Sequence, residues 1–289
     1  MLLLVRRALG IIHEVACVLQ HGHAMLSKEL LKNTFGCNRG PYYKEMIMYL
    51  SRLTVDLRSD SLGKKWIKNR YRVHQRLCMA FPSDDRVKSD PDFLAPFASG
   101  DFAHGHVHVE RELESGFLYR IDPASGGHAH ILVQSAIRPN WEYAFHNAPY
   151  LVVEPVEVRE MTVFVEKGKT YRFCLEANPT RKICTKTGPD GKKRNGRRVP
   201  VQVENMKSWL EDRCQKNNFG FVINSDETYV EPGYALMRKN PNGDVSKLRT
   251  ARFEGQLTVS DLEAFVRCAT KGIGPAKSLG FGLLSVVPH

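Results

Sequence analysis

The order of strand-like and helix-like runs in this chain predicts an α+β fold of two tandem β-α-β-β-α-β units. Three observations carry that expectation. Residues 49–136 read strand, helix, strand, strand, and a similar order returns after residue 161. Glycines fall between paired strand-like runs, at Gly126-Gly127 and at Gly168. The last helical run is followed by a glycine-rich segment and a short terminal strand, which completes the second unit.

Residues 49–57 alternate Leu50, Arg52, Thr54 and Asp56 on one side with Ser51, Leu53, Val55 and Leu57 on the other, the period of a strand. Asn69 can cap a helix running to Phe81, with Val73, Leu77, Ala80 and Phe81 facing inward and Pro82 ending it. Residues 83–115 are charged and irregular and read as a long loop. Residues 117–121 and 130–136 read as paired strands, so the first half is ferredoxin-like in its order. Residues 141–160, rich in proline and aromatics, read as a connection with an imperfect second helix. Residues 161–176 contain two strand-like runs. Residues 204–214 carry Met206, Trp209 and Leu210 at helical spacing, and residues 219–223 and 250–259 are strand candidates. Asp261 can cap a helix to about residue 270, with Leu262, Phe265 and Val266 inward, and residues 283–287 form the closing strand. The expected organisation is an extension over 1–47, an N-terminal ferredoxin-like domain over 48–160, and a C-terminal one over 161–289 that carries a basic arm and a glycine-rich loop.

Composition narrows the function. The chain has 289 residues, 42% of them hydrophobic, enough for one large or two small cored domains. Its net charge of +11 favours an anionic partner. That charge is clustered: Arg181, Lys182, Lys186, Lys192, Lys193, Arg194, Arg197 and Arg198 stand against Asp190 alone. Gly188, Pro189, Gly191 and Gly196 break the stretch into a loop or flexible hairpin with no apolar helical face, which argues against membrane binding and for nucleic acid. The bland alternative is a solvated loop. The seven cysteines are odd in number, widely spaced and without a CxxC, which fits a reducing cytoplasm and thiols packed as small apolar groups.

The run Gly272-Ile273-Gly274-Pro275-Ala276-Lys277-Ser278-Leu279-Gly280-Phe281-Gly282 admits two readings from spacing alone. Its amides and Lys277 can cradle a phosphate, or it is a tight turn before the last strand. A nucleotide-triphosphate loop is excluded, because Lys277 follows Ala276 and too little chain remains for a parallel α/β sheet. Tyr71 and His74 are three apart on the predicted helix and share a face. Imidazole moves protons near neutral pH, whereas a tyrosine with a pKa of about 10 is a poor base there. A lone helical histidine is by itself more often structural. His104, His106 and His108 alternate, with His128 and His130 nearby, but no carboxylate or cysteine completes a shell, so exposed loop histidines and no metal are expected.

The terminal GIGPAKSLGFGLLSV resembles the signature of the repeat-associated RNA-processing proteins of CRISPR systems, and within them the CasE-type endoribonucleases of type I-E systems. Four further segments match in the same order: Met48-Tyr49-Leu50-Ser51, Tyr71-Arg72-Val73-His74, Ala177-Asn178-Pro179 and Phe253-Glu254-Gly255. The resemblance covers roughly residues 48 to 289. It implies tandem ferredoxin-like domains that hold RNA across their faces. It also implies metal-independent cleavage of a CRISPR repeat stem-loop by its own 2′-hydroxyl, without a cofactor. His74 takes the position of the catalytic histidine and Tyr71 that of its partner. Arg181, Lys182, Lys192, Lys193, Arg194, Arg197 and Arg198 are expected to grip the repeat hairpin. Gly272, Gly274, Lys277, Gly280 and Gly282 are expected to support the RNA or the helix that carries His74. The resemblance further implies that the enzyme keeps its product and joins the multisubunit complex called Cascade. The alternative within the superfamily is an RNA-binding subunit without turnover, which has no need of the Tyr71–His74 pair.

Lys44-Glu45-Met46-Ile47-Met48 can be encoded by AAGGAG, a bacterial ribosome-binding sequence, shortly followed by ATG. Native translation is therefore expected to start at Met48, with residues 1–47 read from upstream DNA; the alternative is a genuine N-terminal extension. Intact-mass measurement of the natively expressed protein checks this, and a mature N-terminus at Met1 removes it.

Overall fold

The computed structural model describes residues 47–58, 60–81, 116–162, 165–183, 191, 196–239 and 243–289. The expectations for 1–46 and for the long loop after Pro82 lie outside these residues. Sheet one contains β1 (Ile47–Asp56), β2 (Phe117–Ala124), β3 (His128–Ser135) and β4 (Glu157–Thr162) in the order β2-β3-β1-β4, all antiparallel. The β2–β3 turn uses positive φ at Gly126 (68°) and Gly127 (75°), a conformation that glycine reaches without Cβ strain. Between β1 and β2 lie α1 (Leu62–Ile67) and α2 (Arg70–Cys78), and α3 (Trp141–Phe145) precedes β4. These helices cover one face of the sheet, burying Leu53, Val55, Val73, Leu77, Ile131, Val133 and Trp141 in one cluster.

The second sheet repeats the topology. It contains β5 (Thr170–Ala177), β8 (Phe221–Ile223), β9 (Tyr229–Met237), β10 (Ser246–Val259) and β11 (Leu284–Pro288) in the order β11-β5-β10-β8, with β9 also on β10. Helices α4 (Met206–Lys216) and α5 (Leu262–Lys271) cover one face and close a core around Phe173, Leu175, Met206, Trp209, Phe253 and Phe265. Asp261 caps α5 by accepting from the Ala264 amide at 2.8 Å. Two short strands, β6 (Thr180–Ile183) and β7 (Arg197–Pro200), form a separate ribbon. Both units therefore place their fourth and first strands side by side, then the third, then the second. This is the ferredoxin-like arrangement expected above.

Four elements differ from expectation. β9 adds a strand where none was expected, and its Pro232 is tolerated because β9 is an edge strand. α1 is only six residues, and Gly63 in it lies so close to β1 that a Cβ would meet Val55 at 2.9 Å. β4 begins at Glu157, inside the expected connection, and belongs to sheet one, where Glu157 pairs with Arg52. β10 begins at Ser246 and takes two partners on one edge, β9 up to Glu254 and β8 from Leu257. Gly255 sits at the change-over, where a Cβ would stand 2.8 Å from Glu227 O.

The helix-free faces of the two sheets meet. Leu50, Leu118, Leu132 and Leu283 make a small apolar contact there. Beside it lies a buried ionic network. Arg120 and Asp122 are each 2% exposed and form a paired fork at 2.8 and 2.9 Å. Arg120 Nη1 also donates to Cys174 O (3.1 Å), Leu283 O (3.3 Å) and Ser285 Oγ (3.0 Å) of the second unit. Arg252 of the second unit donates to Asp122 at 2.6 Å and to Glu254 at 2.6 Å. Burial alone would raise the Asp122 carboxyl, but Arg120 and Arg252 overcome it and hold it down at about 2. Cys78, Cys174, Cys214 and Cys268 are buried, and burial pushes the last three thiols up to about 12, which leaves those three unreactive. Among the described residues no helix is long and apolar enough to cross a membrane.

Replacing Asp122 with Ala leaves two buried guanidinium groups without their shared partner, so Asp122→Ala is expected to lose about 3–5 kcal/mol of stability in a denaturant titration. The native carboxyl ionises below its unfolded value. Its stabilisation is therefore complete above about pH 4 and is withdrawn as pH falls toward about 2, a component that Asp122→Asn abolishes.

Candidate nucleic-acid interface and catalytic helix

Helix α2 is seated by both units. Its cap Asn69 accepts from the Tyr71 amide at 3.3 Å. The same side chain exchanges bonds with the backbone of Arg238, just past β9, at 3.0 and 3.1 Å. Arg70 donates to Glu176 of β5 at 3.0 Å and stands 5.5 Å from the Phe281 ring centroid. Burial pushes the Glu176 carboxyl up, against the pull of Arg70. The Tyr119 hydroxyl bonds the carbonyls of Arg70 at 3.1 Å and Ser278 at 3.4 Å. Tyr71 packs against the cluster of Ala235, Leu279 and Phe281, as do Ala276, Met237 and Leu248. His74 lies one turn further along the helix, half-buried. Its Nε2 is 3.5 Å from Cys78 Sγ, and its ring stacks on Phe117 at 5.8 Å, which in turn stacks on Phe81 at 4.8 Å. The structure thus places the two predicted catalytic side chains on one helix, with Tyr71 leaning toward the glycine loop and His74 toward the core of the first unit.

The loop from Gly272 to Gly282 is a wedge between these parts. Gly272, Gly274, Gly280 and Gly282 have φ of 72°, 84°, 85° and 89°. Their other role is close approach: a Cβ on Gly280 would meet the Tyr119 ring at 2.7 Å, and one on Gly282 would meet Ile273 O at 2.6 Å. The amides of Gly272, Ile273, Leu279, Gly280 and Gly282 all donate to protein carbonyls, among them Gly282 N to Glu176 O at 2.8 Å. One of these bonds ties the loop to β5 and the others close it on itself or on the end of α5, so these amides are committed to the fold rather than turned toward a ligand.

Part of the loop does face outward. Gly274, Pro275 and Lys277 border an open pocket of about 220 Å³ together with Arg198, Arg213, Asn217 and Phe219. Three of its lining side chains are cationic and none is acidic. Burial pulls the Lys277 ammonium below its ordinary value and Lys271 adds to this. Arg213, Asn217 and Phe219 are absent from the predicted set. Arg213 had one sequence signal, its place four residues after Trp209, whose ring its guanidinium approaches at 5.4 Å.

The basic arm is a hairpin over its described part. Its root is held by Val201 N donating to Pro179 O (3.0 Å), Trp209 Nε1 to Thr180 O (3.1 Å), and Asn178 Nδ2 to Arg249 O (2.6 Å). Register puts Lys182 directly opposite Arg198, with Arg181 opposite Val199 and Ile183 opposite Arg197. All four cations are exposed. A like-charge pair across a ribbon is unfavourable by itself and is relieved by an anion. Lys192, Lys193 and Arg194, and with them Lys186, lie outside the described residues.

Of the histidines weighed for metal, His128 Nδ1 is 3.2 Å from Ser125 O and His130 Nδ1 is 3.4 Å from Thr54 Oγ1, while His104, His106 and His108 lie outside the described residues. Among the described residues no three histidine, cysteine or carboxylate side chains gather at one point.

The sequence matches the family model for CRISPR associated protein over residues 48–288. It is similar to the CRISPR-associated endoribonuclease Cse3 of Thermus thermophilus, 29% identical over 192 residues that cover 62% of this chain and 85% of that protein. It is also similar to the CRISPR system Cascade subunit CasE of Escherichia coli K12, 28% identical over 244 residues, 83% of this chain and 100% of that one. Among solved structures, Cse3 bound to a 19-nucleotide RNA has the same fold with a TM-score of 0.60 at 23% identity, covering 85% of this chain and 100% of that chain. Cas6e from Escherichia coli K-12 gives a TM-score of 0.51 at 23% identity, covering 83% and 100%.

Gly282→Ala adds both left-handed strain, about 1–3 kcal/mol, and a clash with Ile273 O. Gly168→Ala adds strain alone, since nothing lies within 4 Å of its would-be Cβ. In thermal melts Gly282→Ala is expected to lower the midpoint by at least roughly 3 °C more than Gly168→Ala.

Proposed function

From the premise that this chain belongs to the CRISPR-associated protein family and is of the CasE type, we propose that it is an endoribonuclease that matures CRISPR precursor RNA. The observation that carries the reading is the Tyr71–His74 pair on a helix clamped between both units, in a protein that also presents exposed cations on the β6–β7 hairpin and a cation-lined pocket at Lys277.

The repeat stem-loop lies against the β6–β7 hairpin, where Arg181, Lys182, Arg197 and Arg198 meet its phosphates. The scissile phosphate lies at α2. The 2′-oxygen beside it attacks phosphorus, the bond to the 5′-oxygen breaks, and a 2′,3′-cyclic phosphate and a 5′-hydroxyl result. One proton leaves the 2′-hydroxyl and one reaches the departing 5′-oxygen, and His74 is the residue that moves a proton. Tyr71 orients the nucleophile or the phosphate with its hydroxyl. Cations supply the charge stabilisation that the pentacoordinate phosphate needs, and no metal ion takes part. The enzyme then keeps the cleaved stem-loop and joins the Cascade complex through it. A polyanionic RNA product held by a basic protein surface supports retention better than rapid turnover.

The test is cleavage of an end-labelled repeat hairpin from the host's own CRISPR array in EDTA. The wild-type chain is expected to cut once at the 3′ base of the stem. His74→Ala is expected to bind with unchanged affinity and to cut about 10²–10⁴-fold more slowly. Tight binding by both chains with cutting by neither would make the protein an RNA-binding subunit without turnover.

A further inference from the structure

The β9–β10 ribbon has a face that this mechanism leaves unused. Register places Tyr234 directly opposite Arg249 and Leu236 opposite Lys247. Toward the core, the same face continues through Pro232 opposite Ala251 and Val230 opposite Phe253. It is thus the apolar side of sheet two carried out past its buried part. Tyr234 is 58% exposed and Leu236 43%. Lys247 Nζ stands 3.8 Å from the Tyr234 ring centroid, and the Arg249 guanidinium 5.8 Å from it. None of the paired residues on this face is acidic.

The ribbon is fastened on both sides to the machinery described above. Arg249 donates to Val201 O at 3.3 Å and its own carbonyl accepts from Asn178, so this face adjoins the root of the basic hairpin. On the opposite face, Ala235, Met237 and Leu248 pack with Tyr71 and Leu279. The ribbon therefore lies between the root of the hairpin and α2, with one face toward each.

An open aromatic ring flanked by cations suits a flat ligand that carries negative charge. A nucleobase can stack on a tyrosine, and its phosphates can meet the neighbouring ammonium and guanidinium groups. Stacking needs no base-specific hydrogen bond. We propose that Tyr234, with Leu236 beside it and Lys247 and Arg249 around it, is a stacking site for one unpaired base of the bound RNA, next to the base-paired stem. This rests on the RNA-processing reading and goes beyond it by assigning a site for the single-stranded flank.

The test uses the full chain and repeat hairpins made uncleavable by a 2′-deoxynucleotide at the scissile position. One hairpin has unpaired flanks carrying 2-aminopurine at successive positions, and the other has none. Tyr234→Ala is expected to weaken binding of the flanked hairpin on the order of tenfold and to abolish 2-aminopurine quenching at one flank position. Binding of the flankless hairpin should be unchanged, which also reports that the variant is folded. Tyr234→Phe should restore both affinity and quenching. Wild-type affinity of Tyr234→Ala for the flanked hairpin overturns the stacking site while the nuclease reading stands. The same result with loss of co-purifying complex subunits overturns it in favour of a protein-binding face. Failure of the wild-type chain to bind either RNA removes both readings together.

Discussion

One buried carboxylate holds the relation between the two halves. Asp122 lies between Arg120 of its own strand and Arg252 of the second unit, all within hydrogen-bond distance. Three charges out of water are tolerable only together, because an unpartnered buried charge costs several kcal/mol. Apolar contacts such as Leu118 on Leu283 permit sliding; a forked, charged contact does not. The two sheets are therefore held at one spacing and one register.

That fixed relation is what makes α2 a usable platform. The helix belongs to the first unit by its core contacts through Val73 and Leu77, yet Asn69 and Arg70 at its start bond to Arg238 and Glu176 of the second. The glycine loop fills the remaining space, reaching Tyr119 with Gly280 and Tyr71 with Leu279 and Phe281. A side chain in the loop's tight positions would push the units apart. Tyr71 and His74 thus owe their placement to elements more than a hundred residues away in the chain.

The cations divide into two populations with different physics. Arg120, Arg252 and Arg70 are buried or nearly so and paired, and they serve the fold. Arg181, Lys182, Arg197 and Arg198 are exposed, two of them facing each other across a ribbon. Exposed ion pairs contribute about 0–1 kcal/mol each to stability, so this surface is not needed to keep the chain folded. Among the described residues, cations gather on the hairpin, at the pocket by Lys277 and on the Tyr234 ribbon, where a polyanion would release counterions on binding.

Much of this architecture was legible in one dimension. Period-two alternation marked β1, the Asn69 and Asp261 caps marked the starts of α2 and α5, and the glycine and lysine-arginine clusters marked the loop and hairpin, because each depends on residues adjacent in the chain. The Tyr71–His74 pair was legible for the same reason, being one helical turn. What tertiary structure decided was everything that joins the units. Arg52 and Thr54 alternate as a solvent face should, yet they are 7% and 6% exposed because the fold leaves no open side there. β9 was not among the strands read from the sequence, and its Pro232 is tolerated by its edge position. The Asp122 network, the pocket at Arg213 and the Tyr234 platform bring together residues far apart in sequence. Local periodicity reports which way a side chain points; it carries no information about which distant element, or which ligand, waits on that side.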